Sequence, residues 1–401
     1  MPTGTSVPTS ARVSGFSYAI RNIVAEAKKV EAAGRRVRYL NIGDPIQFGF
    51  KTPPHLIEAV DRAMRDGHNG YVASAGIEPA RQAVAEEYTR RGVPMTPDRV
   101  VITSGTSEGI ELILSTLVDA GDEVLIPSPT YPLYTAVIAK IGAKSVFYHT
   151  DPRAGWQPDL DHIRSLITPR TRALVVIDPN NPTGAVYPEA TRRALIDIAE
   201  RAGIPILADE VYSDTAYDGP TALMGSLAPD APIISFSSLS KAYLAPGWRT
   251  GWLVVATTER LNGVLAATRK MADGRLCSPG PFQYAVEPAL SGDRSHQEHF
   301  ARELRLRAEL TTSRINAIPG MRCVMPRAAF YAMPQVDLPP GRTDEDYVLG
   351  FLRATGNLCV YGSGFAVDGS HGFFRIVFLG PLDELSVIYD EMASYTADFL
   401  H

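Results

Sequence analysis

The sequence predicts an α/β protein: a mainly parallel, seven-stranded sheet sandwiched by helices, with a smaller α+β domain built from both termini. Three observations carry this expectation. Between residues 100 and 255, seven runs of four to seven residues, rich in Val and Ile, alternate with amphipathic stretches, as strands buried on both faces do when crossover helices cover them. The length of 401 residues exceeds the roughly 250–300 residues that one hydrophobic core supports, so two lobes are expected. The 33 glycines and 31 prolines, about one residue in six against roughly one in eight in an average chain, mark sharp turns between many short elements.

Taken in order, residues 17–34 read as an amphipathic helix leading into VRYLNIG. The strands are VVIT (100–103), EVLIP (123–127), SVFYH (145–149), ALVVID (173–178), PILAD (205–209), PIISFSS (232–238) and GWLVV (251–255). Between them, residues 108–118 and 188–202 place apolar side chains three and four apart, as in Leu195, Ile198 and Ala199, so both are helices. Gly121 and Gly203 are expected to end them as left-handed caps. Residues 296–318 form a long charged helix stopped at Pro319 and Gly320, followed by short strands and helices. The expected division is a flexible arm over 1–15, a small domain from 16–49 and 293–401, and a large domain over 50–292. No repeat or low-complexity linker separates them, so the lobes should pack together.

Composition excludes several classes. With 45% hydrophobic, 21% charged and 8% aromatic residues, the chain is neither disordered, collagen-like nor a coiled coil. Its 39 basic and 44 acidic residues leave a net charge of −5, which advertises neither nucleic acid nor an anionic membrane as partner. The N-terminal stretch has no apolar run, and nowhere do about 18 apolar residues follow one another, so neither a signal peptide nor a membrane span is expected. Cys277, Cys323 and Cys359 are odd in number and form no CxxC pair, which argues against a disulfide framework or structural zinc and for reduced core thiols in the cytoplasm. His296 and His299 share a helix face, but without a companion carboxylate or cysteine motif they read as solvated surface, and no metal is expected.

Ligands of an open parallel sheet bind beyond the carboxyl ends of its strands, and the polar residues collect there. The first strand runs into Ser104, Gly105, Thr106 and Ser107 and then a helix, offering hydroxyls and free N–H groups at a positive helix end; the same residues would also serve as an ordinary helix cap. The turn from Asp178 to Gly184, fixed by two prolines, aims Asn181 back at the sheet, or is simply a tight connection. Asp209 and Glu210 follow an apolar strand, so at least one carboxylate sits near a dry core and needs a cationic partner. Ser238, Ser240 and Lys241 bring an amine to the same edge, and Arg249 follows eight residues on. A lysine and an aspartate delivered beside a phosphate loop ask for an aldehyde-bearing phosphate cofactor held as a Schiff base.

The stretches DPNNPTG (178–184), ADEVY (208–212) and SLSKAYLAPGWRTGW (238–252) resemble the class I/II aminotransferases of pyridoxal-phosphate fold type I. Residues 18–45 and FRIVFL (374–379) are similar to the beginning and end of the alanine aminotransferase-like branch. The resemblance spans nearly the whole chain and implies pyridoxal 5'-phosphate as cofactor, with Lys241 as Schiff-base lysine and proton carrier and Asp209 paired with the pyridine nitrogen. It implies Tyr212 and Asn181 on the phenolic oxygen, Tyr131 stacked on the cofactor face, and Gly105, Thr106, Ser107, Ser238 and Arg249 as the phosphate cup. Tyr71, in GHNGYVASAG, matches a tyrosine that reaches the phosphate of the neighbouring subunit, implying a homodimer with shared sites. Arg375 matches the arginine that grips the substrate carboxylate, with Gly43 meeting the same group. Asp178 stands where many relatives carry Asn, outside these contacts.

The implied activity is a cytoplasmic, dimeric aminotransferase moving an α-amino group between an L-amino acid, alanine- or glutamate-like, and a 2-oxo acid by a ping-pong mechanism. Two alternatives remain open: another reaction of the same cofactor, such as elimination or oxidation, and a non-catalytic cofactor-binding module. The module would need an appendage that the roughly 17 residues before the first helix do not supply. A nicotinamide-binding protein is set aside because no GxGxxG follows the early strands.

Overall fold

The computed structural model describes residues 7–10 and 23–401. Of the arm expected over 1–15, only residues 7–10 are described, and they are exposed; the expected helix start at 17–22 lies outside the described residues. That helix is present over Val24–Ala32.

The main sheet contains all seven expected strands within one or two residues of their sequence bounds. They are β1 (Val100–Thr103), β2 (Glu123–Ser128), β3 (Lys144–Asp151), β5 (Thr171–Ile177), β6 (Ile206–Asp209), β7 (Ile233–Ser238) and β8 (Gly251–Val255), and a two-residue strand, β4 (Gln157–Pro158), adds an eighth. The order across the sheet is β1-β8-β7-β6-β5-β2-β3-β4. Strands β7, β6, β5, β2 and β3 are parallel neighbours, whereas β8 runs antiparallel between β7 and β1, and β4 turns back along β3.

Alternation along the strands explains the layers. Val101, Val124, Ile126, Val175, Leu207, Ile234 and Leu253 point into one apolar cluster with Ile110 and Ile113 of the helix Thr106–Leu117. Leu125, Leu174, Val176, Ile206 and Ile233 point into another with Leu195 and Ile198 of the helix Glu189–Ala202. Gly203 caps that second helix at φ 68 as expected. Gly121 does not cap the first: the helix stops at Val118 in extended conformation. Gly121, at φ 88, instead serves the turn into β2, so a glycine three residues late marks the turn rather than the cap.

The two chain ends meet in a separate apolar cluster that includes Leu40, Phe300, Leu304, Phe330, Tyr347, Phe374 and Tyr389. Arg38–Tyr39 pairs in parallel with Asn357–Leu358, and Phe374–Val377 pairs with both Tyr331–Ala332 and Val360–Tyr361. The long helix spans Ser295–Asn316. On it, half-buried His296 shares a 3.1 Å hydrogen bond with the Ala242 carbonyl. Among the described residues no His, Cys, Asp and Glu cluster could hold a metal, and no helix is long and apolar enough to cross a membrane. All three cysteines are free; Cys323 and Cys359 are buried and Cys277 is half-buried.

Candidate active site

The carboxyl ends of β1, β2, β5, β6 and β7 open into a cavity of about 850 Å³ closed from the far side by Gly43, Tyr331 and Arg375. Each strand delivers one piece. At the end of β1, Gly105 (φ 76, ψ 167) turns the chain sharply into the helix that starts at Thr106, a conformation essentially restricted to glycine. The close approach demands glycine as well, because a Cβ there would lie 2.2 Å from Arg249 Nη2. The same crowding fixes Gly251, whose Cβ would meet Gly105 C and Thr106 N at 2.7 Å. Thr106, Ser107, Ser238 and Arg249 line the cavity, with Arg249 Nη1 donating to the Pro246 carbonyl at 3.0 Å and Nη2 to that of Ser104 at 3.3 Å. Helix-terminal N–H groups, hydroxyls and a guanidinium thus converge as a cradle for a phosphate-sized anion.

After β5, the turn is built from its own polar groups: Asn180 Oδ1 accepts from Thr183 N and Oγ1, and Gly184 N donates to the Asn180 carbonyl at 2.8 Å. That leaves Asn181 to face the site, where its Oδ1 accepts from Arg375 Nη1 at 3.1 Å. Asp209 ends β6. It is buried, its Oδ2 accepts from the Tyr134 hydroxyl at 3.0 Å and its Oδ1 from Val211 N at 3.5 Å. Burial pushes its pKa up to about 6, against the lowering effect of those hydrogen bonds. Among the described residues no ion pair involves Asp209 or Glu210: Arg91 acts on Glu210 only through its more distant charge, and its own ion pair is with Asp214 at 2.9 Å. Of the two, the carboxylate facing the cavity is the one that suits an external cation such as a protonated ring nitrogen.

Lys241, after β7, donates to the Gly43 carbonyl at 2.9 Å. Desolvation by the surrounding protein lowers its pKa to about 8; Asp44 acts to raise it, and the Arg375 and Arg249 guanidiniums to lower it. Arg375 is 2% exposed. Its Nη2 donates to the Asn41 carbonyl at 2.5 Å, and its guanidinium lies over the rings of Tyr331 and Phe365, 4.6 and 4.7 Å from their centroids. Tyr212 shares a 2.9 Å hydroxyl–hydroxyl hydrogen bond with Tyr331. Gly43 is wedged against that residue, since a Cβ would lie 2.2 Å from Tyr331 Oη.

The fold therefore brings Gly43, Thr106, Ser107, Tyr131, Asn181, Asp209, Tyr212, Ser238, Lys241, Arg249 and Arg375 to one cavity, with Gly105 directly behind its loop. It does not bring Tyr71 there: that ring is 85% exposed and lies outside the cavity. Sequence reasoning passed over Asn41, Tyr134, Tyr331 and Phe365. Tyr134 had a signal, standing three residues beyond Tyr131 at the start of a helix; the others meet the site only through long-range packing.

A half-buried lysine, a carboxylate with no ion pair and an anion cradle at the carboxyl edge of a mostly parallel sheet define a fold type I enzyme of pyridoxal 5'-phosphate. Residues 36–390 match the family described as aminotransferase class I and II, and the chain belongs to it: it is a pyridoxal-phosphate-dependent aminotransferase. The glutamate-pyruvate aminotransferase AlaA of Escherichia coli (strain K12) is 36% identical over 401 residues, covering 98% of both chains. The alanine aminotransferase of Mycobacterium tuberculosis (strain ATCC 25618 / H37Rv) is 39% identical over 367 residues, covering 89% of this chain and 85% of its own. The solved alanine aminotransferase from Pyrococcus furiosus superposes with a TM-score of 0.95 at 39% identity, over 98% of this chain and all of that one.

Proposed function

We propose that the enzyme moves the amino group of L-alanine or L-glutamate to a 2-oxo acid, pyruvate and 2-oxoglutarate being the acceptors, in a ping-pong cycle. The substrates named for the Escherichia coli and Mycobacterium relatives support the choice. The observation that carries it is the meeting of Lys241, Asp209 and Arg375, which lies over two aromatic rings, in one cavity. In this reading Asp209 holds the pyridine nitrogen, while Gly105, Thr106, Ser107, Ser238 and Arg249 hold the phosphate. Tyr131 packs on the ring face, and Tyr212 with Asn181 holds the phenolic oxygen. When bound, pyridoxal phosphate supplies a sink for the electron pair left on the substrate Cα.

The protein's own groups do the rest. Arg375 presents a planar fork to the substrate carboxylate, already oriented by Asn181, Asn41 and two rings, so little freedom is lost on binding. Gly43 presents its backbone to the same carboxylate. With its oxygen fixed on Arg375, Asn181 has its amide N–H groups left to give. Lys241 Nζ, held near pKa 8, has an appreciable neutral fraction near pH 7–8 and takes and returns the proton at Cα as a general acid–base.

We further propose a small domain over 16–49 and 293–401 and a large one over 50–292, supported by the separate apolar cluster of the chain ends. The exposure of Tyr71 suits a homodimer in which it reaches the phosphate of the other copy. Buried, unpaired Cys323 and Cys359 suit a reducing cytoplasm. The test is a purified-enzyme assay in which pyruvate forms from L-alanine only when 2-oxoglutarate is supplied, with equimolar glutamate. Pyruvate released without an acceptor points to a different reaction of the cofactor, and full turnover by Lys241→Ala overturns the assignment of the base.

A further inference from the structure

On the reading that Asp209 holds the pyridine nitrogen, we propose that Tyr134 is a positioning residue that sets the orientation and charge of the Asp209 carboxylate. Three observations meet there. Tyr134 is fully buried among the apolar residues under the sheet, where a hydroxyl is costly unless it is hydrogen-bonded. Its hydroxyl donates to Asp209 Oδ2 at 3.0 Å. Among the described residues the carboxylate's other hydrogen bond is the longer one from Val211 N at 3.5 Å, so the phenol is its principal anchor.

The local structure explains how the phenol gets there. Tyr131 precedes the helix Pro132–Lys140 in extended conformation, with Pro132 at its first position. One helical turn separates Tyr131, which lines the cavity, from Tyr134. The two aromatic groups thus approach the same site from one turn of chain, one through the cavity wall and one through the core. A tyrosine hydroxyl is a donor to an ionised carboxylate, and such a bond favours the charged form, opposing the burial that favours the neutral one. A carboxylate that stays ionised and fixed in plane is the one able to keep a ring nitrogen protonated. Tyr134 does not line the cavity and would act through Asp209.

The experiment is a double-mutant cycle on full-length apo-protein titrated with pyridoxal phosphate by equilibrium dialysis. Tyr134→Phe keeps the packed ring and removes the hydroxyl, and is expected to weaken cofactor binding about tenfold, the scale of one hydrogen bond to a charged acceptor. Asp209→Ala should weaken it more, and Tyr134→Phe should then add nothing, because coupled residues are not additive. With saturating cofactor, Tyr134→Phe should lower kcat and leave the KM for L-alanine within about twofold. Wild-type affinity in Tyr134→Phe, or an equal loss in both backgrounds, overturns the role of Tyr134 while leaving that of Asp209 standing. Unchanged affinity in Asp209→Ala overturns the underlying reading as well. Tyr134→Met provides a second hydroxyl-free side chain should the Phe variant not fold, as judged by the apo-protein melting curve.

Discussion

Replacing Arg375 by lysine keeps the charge and removes the fork. The native guanidinium donates to Asn181 Oδ1 at 3.1 Å and to the Asn41 carbonyl at 2.5 Å, and stacks on Tyr331 and Phe365. An ammonium cannot give two parallel hydrogen bonds to a carboxylate or present a planar face to an aromatic ring. Losing one hydrogen bond to a charged group costs about 1.5–3 kcal/mol, and losing contact with two rings adds about 0.5–1 kcal/mol each. Part of this is felt equally by the substrate-free enzyme, so a net loss of about 2–4 kcal/mol is expected in kcat/KM for L-alanine, roughly 30- to 1000-fold. A paired control separates carboxylate recognition from general damage: aminooxyacetate carries a carboxylate and hydroxylamine does not. Stopped-flow capture of the bound cofactor should slow for the first and stay near the native rate for the second. A fall in kcat/KM below about fivefold, or an equal slowing of both nucleophiles, refutes the role of Arg375.

Gly105→Ala forces a glycine-only conformation and drives a Cβ to 2.2 Å from Arg249 Nη2; at about 1–3 kcal/mol of strain, cofactor affinity measured by dialysis should fall about 5- to 150-fold, and native affinity would contradict the proposed phosphate cradle. Competitive acylation of the apo-protein, read by mass spectrometry of the Lys241 peptide, should show half-maximal reactivity near pH 8. An unperturbed lysine reaches this only at about 10.4, and because a lowered pKa means the neutral amine appears earlier as pH rises, a midpoint above about 9.5 would refute the burial effect. Co-expressing Tyr71→Ala with Lys241→Ala should yield mixed dimers with one intact site and recover activity that neither homodimer has; no recovery argues against a site shared between subunits.

What the sequence made legible follows the range of the interactions. The seven strands were readable because Val- and Ile-rich runs buried on both faces need no knowledge of their neighbours. Strand β4 was not, since Gln157 and Pro158 are too short for any period and are a strand only because β3 lies beside them. Pairing of Arg38–Tyr39 with Asn357–Leu358 joins segments more than 300 residues apart and leaves no local trace. In the site, the residues with motif signatures could be named, whereas Phe365 and Tyr331 were invisible: an aromatic side chain chosen to stack on a guanidinium looks in sequence like any core residue. A cationic partner for the carboxylates at the end of β6 was expected, and burial acts on both, raising Glu210 to about 7 and Asp209 to about 6; yet among the described residues neither forms an ion pair, and the nearby Arg91 is paired with Asp214.

Arg375 and Arg249 both press on Lys241 and lower its pKa, while Asp44 acts in the opposite sense. An anion seated on either arginine offsets that pressure, so binding at the guanidiniums and the protonation state of Lys241 are linked through space. On the proposed roles, a substrate carboxylate on Arg375 would raise the affinity of Nζ for a proton just when one has to be taken from Cα, and proton transfer would be tied to correct seating of the substrate. Arg375→Lys tests this as well: a retained charge without the fork should preserve the low Lys241 pKa of the free enzyme while losing the seating.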